Sequence, residues 1–346
     1  MSIALDIGAF RLKSLRRVGD RLVARGSRCV HSILPDNESA RIALDRAQLP
    51  YATCDESLLL FGDSAGDFAR LFQSPCLPLM TDGHIPHDDP PARQVMATLI
   101  EATLPEPRTP GKICCLTLPG KHDTADATDR ELEFFSRVVK LRGYEPIVLG
   151  AGMAAILAEL VDCGFTGIGI DFGAATTEVS LAHRGIELAR CVVPRGGNWI
   201  DAQLARQNNE YAFDASGNRY LDTELSRFWK EDSARALDDP SDDQDAYLVE
   251  LYSQLIAEVL SSASSIFASI PGVCDVPQPL DVVCTGGTAS IRGFGSLFER
   301  FCQDGTFPVD INRVRVRAES DYTVARGCLI CAELESETLS PRRQAA

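Results

Sequence analysis

The sequence predicts an α/β fold built twice over, as two lobes of similar plan facing each other across a ligand cleft. Three observations predict it. A strand–turn–strand unit occurs in each half of the chain, ALDIGAFRLKSL at 4–15 and GIDFGAATTEVSL at 169–181. Each copy has an apolar strand, an Asp, an apolar residue, a Gly, a short turn and a second strand, and Asp6 and Asp171 are separated by close to half the chain. Two further glycine pairs, Gly196-Gly197 and Gly286-Gly287, each precede a helical pattern. A length of 346 residues suits two domains or one bilobal unit. The cleft between paired lobes is a favoured ligand site.

Composition sets the limits. Hydrophobic residues at 45% and charged residues at 24% are those of a soluble globular protein. A formal net charge of -15 argues against general binding to nucleic acid, which needs a basic footprint. No apolar run reaches the roughly 18 residues of a spanning helix. The opening MSIALDIGAF enters a strand pattern at once, without the regions of a signal peptide, so a cytoplasmic location is expected. The twelve cysteines lie scattered through apolar runs, and only Cys328 and Cys331 have CxxC spacing. With no second pair at zinc-like distance, they are expected to be buried, reduced thiols. His84 and His87 are the only close histidines, beside Asp88 and Asp89, and a surface loop is favoured there over a metal site.

The elements follow in chain order. In DIGAFRLK, Gly8 lets backbone N–H groups approach a phosphate closely. Lys13 would place a compact positive charge on a β- or γ-phosphate. Residues 11–28 carry Arg11, Lys13, Arg16, Arg17, Arg21, Arg25 and Arg28 against the single acid Asp20. That hairpin is expected to present a solvated outer face plus one phosphate-facing Lys, with an acidic lipid or partner as the other reading. In DFGAATTEVSL an acid ends the apolar run GFTGIGI, Gly173 and Ala174 make a small turn, and Thr176 and Thr177 add hydroxyl donors. Asp6 and Asp171 would hold the waters around a Mg²⁺ ion, which takes few direct carboxylates. The glycine pair of VVPRGGNWIDAQLA opens a helix, and the acid-rich run 230–246 is expected to be a surface loop between helices. In VVCTGGTASIRGFGSLFERF a strand enters Gly286-Gly287, then a helix whose apolar face includes Ile291, Phe294, Leu297, Phe298 and Phe301. Such a unit can pass a flat ring close to its backbone, as an adenosine requires.

The order DIGAF…K, DFGAATTE, PRGGNWID and CTGGTASIRG resembles the actin, Hsp70 and sugar-kinase superfamily, whose duplicated lobes have a ribonuclease H-like fold. Within it the chain is similar to MreB, the bacterial actin homologue of cell-wall synthesis. The likeness continues through LLFGDSAGDFARLFQSP…LPLMTDGHI at 59–85, CCLTLPG at 114–120, MAAILA at 153–158 and DYTVARG at 321–327, and so spans roughly residues 2–332. It implies an actin-like lobe at 1–148, to which 318–346 returns, and a second lobe at 149–317. It also implies ATP with Mg²⁺ in the cleft. Asp6, Gly8 and Lys13 fall on the first phosphate motif. Asp171, Gly173, Thr176, Thr177 and Glu178 fall on the second, with Thr176 a candidate for a catalytic role. Gly286 and Gly287 match the adenosine motif. Gly196, Gly197 and Asp201 match a segment beside the nucleotide, with Asn198 in place of an Asp. Glu224 and Arg227 correspond to a Glu–Lys pair that contacts ribose and adenine.

Two departures qualify what the resemblance implies. The first turn, Ala9-Phe10-Arg11-Leu12-Lys13, is neither small nor hydroxylic, and its Asp, Gly and Lys spacing resembles the cell-division protein FtsA and the pilus-assembly protein PilM. In VLGAGMAA the place of MreB's water-positioning Glu is taken by Ala151, and the neighbouring Glu is Gly150. No carboxylate remains nearby in sequence, so slow or absent hydrolysis is expected. The implied function is a self-associating cytoskeletal filament or cell-shape scaffold. The alternative is a non-polymerising FtsA- or PilM-like adaptor for a membrane-associated morphogenesis or pilus-type assembly, at the inner face of the membrane. A sugar-kinase role would need an Asp base and a larger substrate lobe, and an Hsp70 role a substrate-binding domain beyond residue 330. The sequence shows none of these.

Overall fold

The structure is a computed structural model describing residues 2–54, 56–72, 74–86, 89–120, 129–213, 217–303, 307, 309–317 and 321–344, with the side chains of 70, 274 and 339–344 left aside. His87, Asp88 and His122 lie outside the described residues.

The chain folds into two five-stranded sheets of one topology. The first runs Arg21–Arg28, Arg11–Val18, Ile3–Ile7, Lys112–Thr117, Tyr144–Val148. The second runs Ile186–Val193, Thr177–His183, Gly167–Phe172, Leu280–Thr285, Ile311–Val316. In both, the first three strands form an antiparallel meander and the last two add in parallel. The central strands IALDI and GIGIDF are covered on both faces, which is why they read as continuous apolar runs. A separate four-stranded sheet, which includes Val30–Pro35 and Ser57–Phe61, extends the first lobe.

Helices supply the parallel crossovers and bury the sheets. Asp129 starts the helix Arg130–Leu141 by accepting the N–H groups of Glu131 and Leu132. Asp242 does the same for the helix Asp243–Ser269, accepting from Asp245. The acid-rich run is therefore only partly the loop expected from its composition. Its last residues form a helix start, where carboxylates face the N-terminal dipole, and Asp245 is buried against Arg235 at 3.0 Å.

Two helices connect the sheets. Ala151–Glu159 is almost wholly buried, which its unbroken run of small and apolar residues allows. It packs on the strand Gly167–Phe172 and on the helix Thr323–Gln344, which in turn lies over Ile3–Ile7 and Lys112–Thr117. The approach is too close for side chains: a Cβ on Gly327 would stand 1.8 Å from the Ala154 carbonyl oxygen.

The described cysteines carry free thiols, six of them buried, as composition suggested, although Cys54 is exposed. The basic hairpin presents the expected solvated outer face, except that Arg28 at its end is buried. Arg28 is buried on Glu224 at 3.2 Å, Arg17 meets Glu333 at 2.9 Å, and Arg11 meets Asp63 at 3.3 Å.

Candidate functional site

The two repeated hairpins coincide bond for bond at their turns. Gly8 N–H donates to the Arg11 carbonyl at 3.1 Å, and Gly173 N–H donates to the Thr176 carbonyl at 3.0 Å. A Cβ on either glycine would stand 2.8 Å from that same carbonyl oxygen, so both turns require glycine. Asp6 faces Lys13 in the antiparallel register, and Asp171 faces Glu178. On the other side each aspartate has a threonine as its parallel neighbour, Thr117 beside Asp6 and Thr285 beside Asp171. The Thr117 hydroxyl donates to Asp6 at 2.9 Å.

Between the sheets lies a cavity of about 620 Å³. Asp6, Gly8 and Lys13 line it from the first hairpin, and Asp171, Gly173, Thr176 and Glu178 from the second. Gly197, Asn198 and Asp201 come from the helix Gly197–Gln207, Arg227 from the helix Glu224–Lys230, Gly286 and Gly287 from the turn after Leu280–Thr285, and Ala151 from the buried helix. Most residues singled out in the sequence therefore meet on one surface. Gly286 has a φ of 94° and no room for a Cβ, which would fall 2.3 Å from the Phe172 carbonyl oxygen. Thr288, which sequence reading passed over, ties this turn to the second hairpin by donating its hydroxyl to the Gly173 carbonyl at 2.8 Å.

Three predicted residues do not reach the cavity. The Thr177 hydroxyl turns away and donates to the Arg195 carbonyl at 2.8 Å. Gly196 serves packing, because a Cβ there would meet the Gly173 carbonyl oxygen at 2.4 Å. Glu224 is held between Arg28 at 3.2 Å and Arg227 at 2.8 Å. Those two guanidinium groups stand 5.1 and 5.0 Å from the Phe10 ring centroid. The bulky residue of the first turn is thus the contact that joins it to the helix Glu224–Lys230. Asp201 pairs with Lys230 at 2.6 Å.

Three buried carboxyls of the site have raised proton affinity. Burial pushes the Asp171 carboxyl up to about 7, the nearby Asp6 adds to the rise, and Lys13 opposes it. Burial also raises Asp6, against Lys13 and the Thr117 hydrogen bond. Lys13 donates to the Asp321 carbonyl and lies 5.7 Å from the Tyr322 ring centroid. Glu178 is pushed up to about 7 by burial, opposed by Arg190 and by the Gly152 N–H, which donates to it at 3.3 Å. No carboxylate lies near Ala151 in sequence, but Glu178 stands beside its neighbours Gly150 and Gly152 in space. The hairpin register brings it there, and segment-by-segment reading does not show it. Elsewhere, no group of three or more metal-ligating side chains occurs among the described residues, and His84 bonds Glu131 at 2.6 Å.

Solved structures share this architecture. The MamK double helical filament has a TM-score of 0.69 at 16% identity, over 96% of this chain and 99% of that one. MreB5 of Spiroplasma citri bound to ADP has a TM-score of 0.66 at 14% identity, over 98% of each chain. The ethanolamine utilization protein EutJ from Carboxydothermus hydrogenoformans has a TM-score of 0.51 at 17% identity, over 95% of this chain and 88% of that one. The fold is thus the actin-like one, in a divergent MreB-like form. No curated protein sequence matches the chain. Residues 1–332 match the family model described as Volactin, and the chain belongs to the Volactin family.

Proposed function

We propose that this chain is an actin-like cytoskeletal protein that binds ATP with Mg²⁺ in the interlobe cavity and assembles with itself as a filament or cell-shape scaffold. The observation that carries the reading is the pair of matched glycine hairpins, which turn Asp6, Lys13, Asp171 and Thr176 toward one cavity. Turns of this kind offer N–H groups to phosphates, and a volume of about 620 Å³ is in the range that encloses a small ligand. The MamK structure is of a filament and the MreB5 structure holds ADP, which favours the same reading here.

Mg²⁺ fits the donor set. Two buried carboxyls with raised proton affinity, next to one lysine, lack the positive charge that would let both ionise. Asp6 and Asp171 would hold the ion through its waters, and the ion would neutralise phosphate charge. Gly286, Gly287 and Arg227 would face the nucleoside end. The working division is a first lobe of 1–148 with 318–346 and a second of 149–317. No helix among the described residues is long and apolar enough to cross a membrane. The proposed location is the cytoplasm, with contact to the inner face of the membrane through partner proteins.

Calorimetry with Mg²⁺ and ATP, followed by sedimentation with and without ATP, tests the reading. Saturable binding together with ATP-dependent pelleting is expected. Binding without pelleting would favour a non-polymerising adaptor, and no binding would overturn the nucleotide assignment.

A further inference from the structure

The residue expected to orient a water for hydrolysis is missing from its usual place, because positions 150 and 151 are Gly and Ala. The space beside that place, at the neighbouring Gly150, is nevertheless filled by a carboxylate. A Cβ built on Gly150 would stand 2.3 Å from Glu178 Oε1 and 2.7 Å from the Arg190 guanidinium carbon. The side-chain volume of residue 150 is thus occupied by an acid from the opposite strand. That acid lines the cavity with Thr176 and Ala151.

Glu178 is also held still. The Gly152 N–H donates to Oε1 at 3.3 Å, and Arg190 Nε stands 3.8 Å away. Arg190 is itself fixed on Glu187 by bonds of 3.0 and 2.7 Å, and Glu187 accepts from the Ser180 hydroxyl at 2.7 Å. Only 6% of the residue is exposed, and it lines the cavity.

We propose that Glu178 orients the attacking water at the γ-phosphate of ATP and takes its proton, replacing from the second hairpin the carboxylate absent at 150 and 151. The inference rests on the ATP reading of the cavity. In the step, the water oxygen forms a bond to the γ-phosphorus. The bond from that phosphorus to the β,γ-bridging oxygen breaks, and its electron pair leaves on ADP. One water proton passes to Glu178, and the other stays on the released phosphate. On this proposal the chain is a working ATPase, in contrast to the slow or absent turnover expected from Gly150 and Ala151.

The test measures Mg·ATP affinity by calorimetry and single-turnover phosphate release on the same samples. Wild type should bind and release phosphate. Glu178→Gln should keep its ATP affinity within about threefold while release falls at least about 100-fold. Adding Ala151→Glu to that variant should restore part of the rate, which a purely structural role for Glu178 would not allow. Should Glu178→Gln fail to fold, Gly150→Ala serves instead: its methyl group displaces the intact carboxylate, and the same loss of release with retained binding is expected. Wild-type release rates in either single variant would overturn the proposal. So would a wild type that binds ATP and releases no phosphate, an outcome that leaves the nucleotide reading standing. Absence of ATP binding in wild type would sink both.

Discussion

In the hairpin of the first lobe the residue opposite the aspartate is Lys13, and at the same register in the second lobe it is Glu178. The backbones around them match, glycine for glycine and threonine neighbour for threonine neighbour. The frame therefore sets where a phosphate chain would lie, and one position on each arm sets what chemistry meets it, a charge from one side and a proton acceptor from the other. The tips differ as well. Phe10 packs against Arg28 of its own lobe and reaches over the cleft to Arg227, whereas Ala175 packs into the apolar core of the first lobe. Each hairpin thus inserts its tip into the territory of the other lobe, one through rings and guanidinium groups and one through close apolar contact.

The comparison can be broken most severely at the shared aspartates. Asp171→Ala should abolish Mg²⁺-dependent ATP binding, a loss of at least ~4 kcal/mol by calorimetry; an unchanged affinity would remove the carboxylates from the site. Next comes the link at the first tip. Glu224→Ala leaves Arg28 buried without its counter-charge and Arg227 with Glu231 alone, and urea unfolding should show a loss of about 3 kcal/mol. A difference near zero would mean that Phe10 and its arginines do not couple the hairpin to the helix Glu224–Lys230.

A third test uses pH. The Asp171 carboxyl is raised to about 7 from an ordinary 3.8, so its stabilising protonated form is fully present below about pH 4 and is lost as pH rises through 7. At pH 8 the ligand-free chain holds a buried charge that Asp171→Asn removes. That variant should be more stable than wild type by about 2 kcal/mol at pH 8, and by much less at pH 5. An equal difference at both values would rule out the titration. Smaller again, Lys13→Met should weaken ATP binding about tenfold and leave phosphate release at saturation near wild type. A loss of release matching that of Glu178→Gln would erase the contrast between the arms. Arg11→Ala should change stability by no more than about 0.5 kcal/mol, since its ion pair with Asp63 is largely exposed.

Much of this was legible in the sequence because the duplication repeats an unusual turn, and glycine marks the points where backbone must pass backbone. The cavity lining followed from the same motifs, with Gly173, Gly286 and Lys13 all found where spacing put them. What could not be read was lateral. Thr117 and Thr285 meet the aspartates only through parallel strand pairing, and nothing in the local sequence records that neighbour. Thr177 misled because adjacent hydroxyls were read as a pair, although strict alternation along a strand sends it to the opposite face from Glu178. Glu224 and Arg227 were found as an i, i+3 pair, but the third member, Arg28, comes from a distant strand and decides where they point.

Gly150 carries a consequence for how such a chain can change. A side chain there and a carboxylate at Glu178 compete for one volume, so neither residue has a fixed value apart from the other. Exchanging one arrangement for the other therefore takes paired changes, at Gly150 and at Glu178. The order of mutations then matters as much as their identity.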